Sequence, residues 1–285
     1  MWRSVTIKCK PGFEDIVHIC IFESGFSGLE DRSDSDNTVY NAYYNTDNGN
    51  DPLERFKTLL ADRTAGETAA EILTVNDVKE EDWEATWREG LGVIEVGSRL
   101  AIRPSWITYE NPDERVEIVI DPKMAFGTGG HESTRLCLDI LETKTLKDVS
   151  VLDAGCGSGV LSIAAVKLGA RCAIGFDHDS DSITNADENT RANRVHDYIT
   201  VYPADLSDVM PGHFNLIFAN MISSSLIPNI HRFHEFLTPG GRIVFSGLLA
   251  TEEEAFIALL KKEGYAIIQV RRLGEWIAVE VEEAV

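Results

Sequence analysis

The sequence predicts an α/β protein. Its main body is a mostly parallel, Rossmann-like sheet with an antiparallel hairpin at the edge, and a small α+β domain of ferredoxin-like order precedes it. Three observations carry this expectation. From about residue 116 onward, strand-like segments alternate with helical ones. One of those strands, VLDAG, runs through a glycine-rich turn directly into a helical stretch. The first 75 or so residues read β-α-β-β-α-β.

Residues 5–9 (VTIKC) alternate as a half-buried strand does. Pro11 opens a helical stretch with apolar Phe13, Ile16, Val17, Ile19 and Cys20, and Gly25 ends it. Strands follow near 26–30 and 39–44, separated by the turn-rich DRSDSDN. Asp51-Pro52 starts a second helix that sets Leu53, Phe56, Leu59 and Leu60 on one face, and TAAEILTV is the last strand. Residues 78–115 read as a linker helix and bridging strands, with Trp83 and Trp87 four apart as packing anchors. The third part, 116–285, holds VEIVID, SVLDAG, CAIGFD, YITVYP, FNLIFAN, GRIVFSG, YAIIQVRR and WIAVEVEE, with helical stretches between most of them. Only LGE separates the last two, so they form the edge hairpin. The domain boundaries expected are therefore 1–77, 78–115 and 116–285.

Composition narrows the function classes. The net charge is −21, from 47 acidic and 26 basic residues. Such a surface lacks the basic face that grips nucleic acid, and it does not suit an anionic membrane. It suits a cationic partner such as a Lys-rich protein, or it is simply a well-solvated surface. The five cysteines are odd in number, widely spaced and without a C-x-x-C pair, which argues against disulfides or a zinc site. No apolar signal segment or membrane-length run is present, so the expected location is the cytoplasm. A monomer is expected.

The chemistry lies in the third part. Gly155, Gly157 and Gly159 make a G-x-G-x-G turn between strand and helix, and Val160 stands where the dinucleotide fingerprint requires glycine. Asp177 ends the next strand, where a carboxylate can accept both hydroxyls of a ribose. With the preceding Asp153, these residues read as a nucleoside-cofactor site, and the spacing favours S-adenosylmethionine over NAD. A tight turn without ligand is the alternative. Ahead of the turn lies DPKMAFGTGGHEST, 121–134, a glycine-rich loop with hydroxyls and an imidazole that can fold over a ligand. Its His131 is a general base, a ligand-positioning group or a helix cap, and the non-catalytic roles are favoured because no partner carboxylate is evident. Asn220 ends the strand FNLIFAN, at the sheet edge where open α/β folds bind ligands. Its amide can hold an amine, contact the cofactor, or cap the following helix. His231 and His234 are read as an exposed helix face rather than a metal pair, and Cys156 as a small residue rather than a nucleophile.

The segments DPKMAFGTGGHEST, LDAGCGSGVLSIAAVKLGA, GFDHDSDSITNADENTRAN and ANM closely resemble the bacterial methyltransferase family PrmA, which modifies large-subunit ribosomal protein eleven. DWEATWRE and RPSW also look like that family's linker. The resemblance runs over roughly residues 80–250. Before 75, only domain size and element order agree. It implies a class I S-adenosylmethionine-dependent methyltransferase acting on lysine ε-amines and an N-terminal α-amine, with residues 1–77 recognising the ribosomal protein. By position it implies cofactor contacts at Thr134, Gly155, Gly157, Asp177 and Asn220 and a closing loop at Phe126, Gly127 and Thr128. Asn220 is also the expected catalytic residue, because an amide at that strand end can touch both cofactor and incoming amine. MISSS after Asn220 departs from relatives, which more often carry Ile or Leu and then varied small residues. Asn220 is also not followed by Pro-Pro-aromatic, which disfavours the related enzymes acting on planar amides and adenine amino groups.

Overall fold

The computed structural model describes residues 2–33, 38–46, 52–64, 68–78, 92–121, 129–209 and 212–284. The chain divides into two compact units, Met1–Gly90 and Leu91–Val285.

The first unit runs β1 (Trp2–Cys9), α1 (Glu14–Ser24), β2 (Gly28–Asp31), β3 (Thr38–Asn45), α2 (Pro52–Arg63) and β4 (Ala70–Val78). Its sheet has the order β2-β3-β1-β4, antiparallel throughout, which is the ferredoxin-like arrangement the element order predicts. Val5, Ile7 and Cys9 alternate inward along β1 and meet Val17, Cys20 and Ile21 of α1 and Leu53 and Phe56 of α2 in one core. Each such side chain, once fully buried, contributes roughly 1.5–3 kcal/mol. Ile19, expected on the apolar face of α1, is instead 47% exposed, and Ile21 takes the inward position. The apolar run of α1 is nearly continuous, so periodicity alone does not choose its inner face. The tryptophan pair of the linker lies outside the described residues.

The second unit contains two sheets. β5 (Ile94–Val96), β6 (Leu100–Arg103) and β7 (Val116–Val119) form the smaller one. This corrects the expectation that VEIVID belongs to the large sheet: β7 pairs in parallel with β6, so it groups with the bridging strands. The large sheet has seven strands: β8 (Ser150–Ala154), β9 (Cys172–Asp177), β10 (Ile199–Pro203), β11 (Phe214–Asn220), β12 (Leu237–Leu249), β13 (Tyr265–Leu273) and β14 (Trp276–Glu283). Their order is β10-β9-β8-β11-β12-β14-β13. The first five pair in parallel, and β14 joins β12 and β13 antiparallel; the two residues Gly274 and Glu275 close the β13–β14 hairpin. The principal helices are α3 (Glu132–Leu141), α4 (Val160–Lys167), α5 (Ser180–Ala192), the short α6 (Ser223–Leu226) and α7 (Glu253–Lys262). β8 is buried at every residue, as a central parallel strand covered on both faces must be. The chain moves from β8 to β9 on one side and later to β11 on the other. Strand order therefore reverses at β8, and the carboxyl ends of β8 and β11 open a crevice between them.

Candidate functional site

The glycine turn leaves the end of β8 inside that crevice. Gly155, Gly157 and Gly159 take φ of 71, 51 and 79°. At Gly155 the left-handed backbone and the neighbourhood both demand glycine, since an added Cβ would stand 3.0 Å from Met221 Cγ. The Gly155 and Cys156 N–H groups both donate to Phe176 O at 2.9 Å, which sews the turn to the adjoining strand. Helix α4 starts at Val160, so the bare N–H groups of its first turn face the same end of the sheet.

Asp177 is 8% exposed at the end of β9. Gly157 N–H donates to its Oδ2 at 2.9 Å, and Asp179 N–H to its Oδ1 at 3.1 Å. Oδ2 keeps a second acceptor site for a ribose hydroxyl, while a hydroxyl at Oδ1 would meet it beside the exposed His178 ring, whose Nδ1 stands 3.3 Å away. Asp153, 1% exposed, lies one layer deeper. Ser162 donates to its Oδ2 through both N–H (3.0 Å) and hydroxyl (2.8 Å), while Oδ1 is buried without a partner. Burial pushes the Asp153 carboxyl up to about 7, the nearby Asp177 adding to the shift against the Ser162 hydrogen bonds.

Asn220 ends β11, beside Ala154 in register through Ala219. Its Nδ2 donates to Thr134 Oγ1 at 3.1 Å, and its Oδ1 is buried with no hydrogen-bond partner among the described residues. A buried amide oxygen left open is costly unless a ligand completes it. The helix-cap alternative for Asn220 does not hold, because Ile222 occupies the N-cap position of α6. Thr134, 1% exposed, sits in the first turn of α3. That turn is pinned by Ser246, whose hydroxyl donates to Ser133 O at 3.1 Å. His131 is the N-cap of α3: its Nδ1 accepts from Ser133 N–H at 3.3 Å, and its ring meets Trp276 edge-on at 4.6 Å. Of the three roles open to His131, the structure realises the cap.

The fold thus brings Thr134, Gly155, Gly157, Asp177 and Asn220 to the carboxyl edge around the switch point. Phe126, Gly127 and Thr128 lie outside the described residues. The open amide oxygen of Asn220, the spare acceptors of Asp177 and the side-chain-free backbone at Gly155 fit a nucleoside carrying an amino-acid tail. Cys156 is buried, and burial raises its thiol well above its ordinary range, so it is a packing residue. His234 is not on an exposed helix face. Its ring stacks on Tyr265 at 4.2 Å and its nitrogens lie 2.8 Å from Glu283 Oε1 and Glu263 O. Among the described residues, no His, Cys, Asp and Glu side chains group to hold a metal ion.

Sequence reasoning missed three contributors. Gly247 (φ +81°) runs so close to β11 that a Cβ there would stand 2.4 Å from Met221 O. Ser246 ties α3 to β12 and β14. Asn185 and Asn189 of α5 and its C-cap residue Asn193 form a buried amide stripe. Only the stripe left a readable signal, three amides at i, i+4 and i+8.

A family model described as "Ribosomal protein L11 methyltransferase (PrmA)" matches residues 6–284. A ribosomal protein L11 methyltransferase of Geotalea uraniireducens (strain Rf4) is 36% identical over 97% of this chain and 96% of its own length. One of Geobacter sulfurreducens (strain ATCC 51573 / DSM 12127 / PCA) is 35% identical over 96% of each. Among solved structures, a ribosomal protein L11 methylase from Lactobacillus delbrueckii subsp. bulgaricus superimposes with a TM-score of 0.63 at 32% identity, over 68% of this chain and 99% of that one. The likeness thus reaches into the first 75 residues, where the motifs alone gave only domain size and element order.

Proposed function

The chain belongs to the ribosomal protein L11 methyltransferase (PrmA) family and is an S-adenosylmethionine-dependent methyltransferase; from that premise we propose that it methylates amines of ribosomal protein L11, using the crevice between β8 and β11. The observation that carries the site assignment is the Asn220 side chain, whose buried Oδ1 has no partner while Nδ2 is held by Thr134. Asp177 would take the ribose hydroxyls, and the Gly155–Gly159 turn, Thr134 and Asn220 would hold the rest of the cofactor.

S-adenosylmethionine, when bound, supplies a methyl group on a sulfonium centre, with a neutral thioether as leaving group. The protein's task is alignment, since such an in-line displacement needs a positioned lone pair more than acid–base help. A lysine amine ionises near ~10.4 and an α-amine near ~7.7–8.0, so either must enter as the neutral base. Burial in the crevice favours that form. Asn220 Oδ1 then accepts an N–H of the amine and aims its lone pair. The Thr134 bond holds the amide plane, and β11 holds the backbone. Lysine ε-amines and an N-terminal α-amine both meet these requirements.

The remaining reading follows from charge and organisation. The net charge of −21 gathers a cationic protein, works at the monomer level and gives nucleic acid no direct grip. No helix of the described residues is long and apolar enough to cross a membrane; a cytoplasmic location is the reading that a ribosomal-protein substrate supports. Residues 1–77, which carry none of the cofactor motifs, recognise the protein substrate; 78–115 bridge to the cofactor-binding part, 116–285. Incubation of the full chain with labelled S-adenosylmethionine and unmodified ribosomal proteins, followed by mass spectrometry, tests the proposal. Label on L11 amines is expected. Label confined to other proteins or to a small amine overturns it. Removing residues 1–77 should abolish L11 methylation while leaving cofactor binding, and equally efficient methylation by the shortened chain would remove the recognition role.

A further inference from the structure

Asn185 and Asn189 of α5 and Asn193, its C-cap residue, turn three amides inward: they are 1, 2 and 7% exposed. A buried amide without partners is expensive, so a stripe of them must be satisfied somewhere. Most of their partners are backbone groups of another segment. Asn193 accepts from Val119 N–H at 2.9 Å and donates to Val119 O at 2.6 Å. Asn189 Oδ1 accepts from Asp121 N–H at 3.1 Å, and Asn185 Nδ2 donates to Asp121 O at 3.0 Å. The chain leaving β7 is therefore held at both backbone groups of two alternate residues. A neighbouring strand would hold it in that way, but here side chains do so.

Asn189 differs from Asn193 in where its second attachment goes: Asn193 Nδ2 also donates to Asn189 O at 2.9 Å, inside its own segment, whereas Asn189 reaches the glycine turn. Its Nδ2 donates to Ser158 O at 3.0 Å, inside the glycine turn, and to Asn185 Oδ1 at 3.3 Å. Ser158 is 0% exposed and lies between Gly157 and Gly159. The Ser158–Gly159 peptide is held at both ends: Gly159 N–H donates within the turn to Cys156 O at 2.8 Å, and Asn189 holds the Ser158 carbonyl from outside the turn. Gly157 N–H, two peptides earlier, is the group that holds Asp177 Oδ2.

We propose that Asn189 is a positioning residue of the methyl-donor site, fixing the Ser158 carbonyl, and through it the Gly157–Asp177 contact, against the backbone at Asp121. The inference rests on reading the glycine turn as the donor site. Coupling of this kind is reciprocal: a ligand that orders the turn steadies the Asp121 end by the same free energy. Asn193 supplies an internal control, since it clamps the same segment without reaching the turn.

The experiment measures S-adenosylmethionine affinity by calorimetry and melting temperature for Asn189→Ala, Asn193→Ala and Asp177→Ala. Both Asn variants should melt lower. Asn189→Ala should bind about tenfold more weakly, the equivalent of one lost hydrogen bond. Asn193→Ala should stay within about twofold of wild type. Equal affinity losses in the two Asn variants, or none in Asn189→Ala, overturn the proposal. Wild-type affinity in Asp177→Ala would instead refute the reading of the turn itself. Should Asn189→Ala fail to fold, amide exchange of the wild-type protein decides. On saturation with S-adenosylmethionine the Asp121 amide should exchange about tenfold more slowly and the Val119 amide should not change. An Asp121 amide indifferent to the ligand, or a Val119 amide slowed equally, sinks the idea.

Discussion

Replacing Asp153 by Asn should stabilise the protein at alkaline pH and do little at acid pH. Asp153 is 1% exposed, and burial raises its carboxyl to about 7 from an ordinary value near ~3.9. Between pH ~4 and ~7 the folded state therefore holds a proton that the unfolded chain has released. Unfolding free energy falls as pH rises through that window, by about 1.4 kcal/mol per pH unit at most, and levels off above ~7. Integrated from pH 5 to pH 8, this one carboxyl costs the folded state about 2–3 kcal/mol. The Asn variant lacks the titration. Its carbonyl oxygen can still accept both Ser162 bonds, and its NH₂ replaces the unpartnered oxygen as a protonated carboxyl's O–H would. At pH 5 the two proteins should thus differ little, whereas at pH 8 the variant should lead by about 2–3 kcal/mol. Groups that titrate alike in both proteins cancel in the difference. Urea denaturation at pH 5, 6, 7 and 8 reads the difference. A gap that stays constant within about 0.5 kcal/mol across that range refutes the buried, proton-holding carboxyl.

Three further outcomes are expected at the site. Asp177→Ala removes the acceptor for two ribose hydroxyls and orphans Gly157 N–H, so cofactor affinity measured by calorimetry should fall roughly 10- to 150-fold. Asn220→Ala should lower kcat about 10²-fold while weakening cofactor binding much less, because it removes the group that aims the amine; steady-state kinetics showing matched affinity loss with kcat preserved would reduce Asn220 to a cofactor contact. Gly247→Ala forces a Cβ to 2.4 Å from Met221 O at φ +81°, and the backbone next to Asn220 must shift. Turnover per folded molecule should drop at least about tenfold, and wild-type kcat in a fully folded variant would show that the strand ends are not held in tight register.

Much of the site was legible from local chemistry. A glycine turn between strand and helix, an acid at the end of the next strand and an amide at the end of a later one are short-range patterns. Each depends on what a few adjacent residues can do, and each residue of the described site came to the expected edge. The ferredoxin-like order of the first unit was readable for the same reason, since alternation and turn residues are local. Residues 122–128 stay outside what the structure describes, so the closing loop remains an expectation from resemblance.

The sequence by itself determined which residues bear the chemistry, because side-chain type, strand ends and glycine positions are properties of the chain in order. It also determined the antiparallel edge hairpin, because three residues cannot make a parallel crossover. Only the tertiary structure decided which sheet VEIV joins, since a four-residue apolar strand carries no mark of its partner. Packing likewise chose Ile21 over Ile19 for the core of the first unit. His131 became a cap because Ser133 and Trp276 converge on it, and Ile222 rather than Asn220 took the cap of α6. The open oxygen of Asn220 exists because Thr134, 86 positions away, holds the nitrogen of the same amide. Hydrogen bonds between segments distant in sequence are set by how helices and sheets stack. No local pattern encodes which of two polar atoms will be left for a ligand.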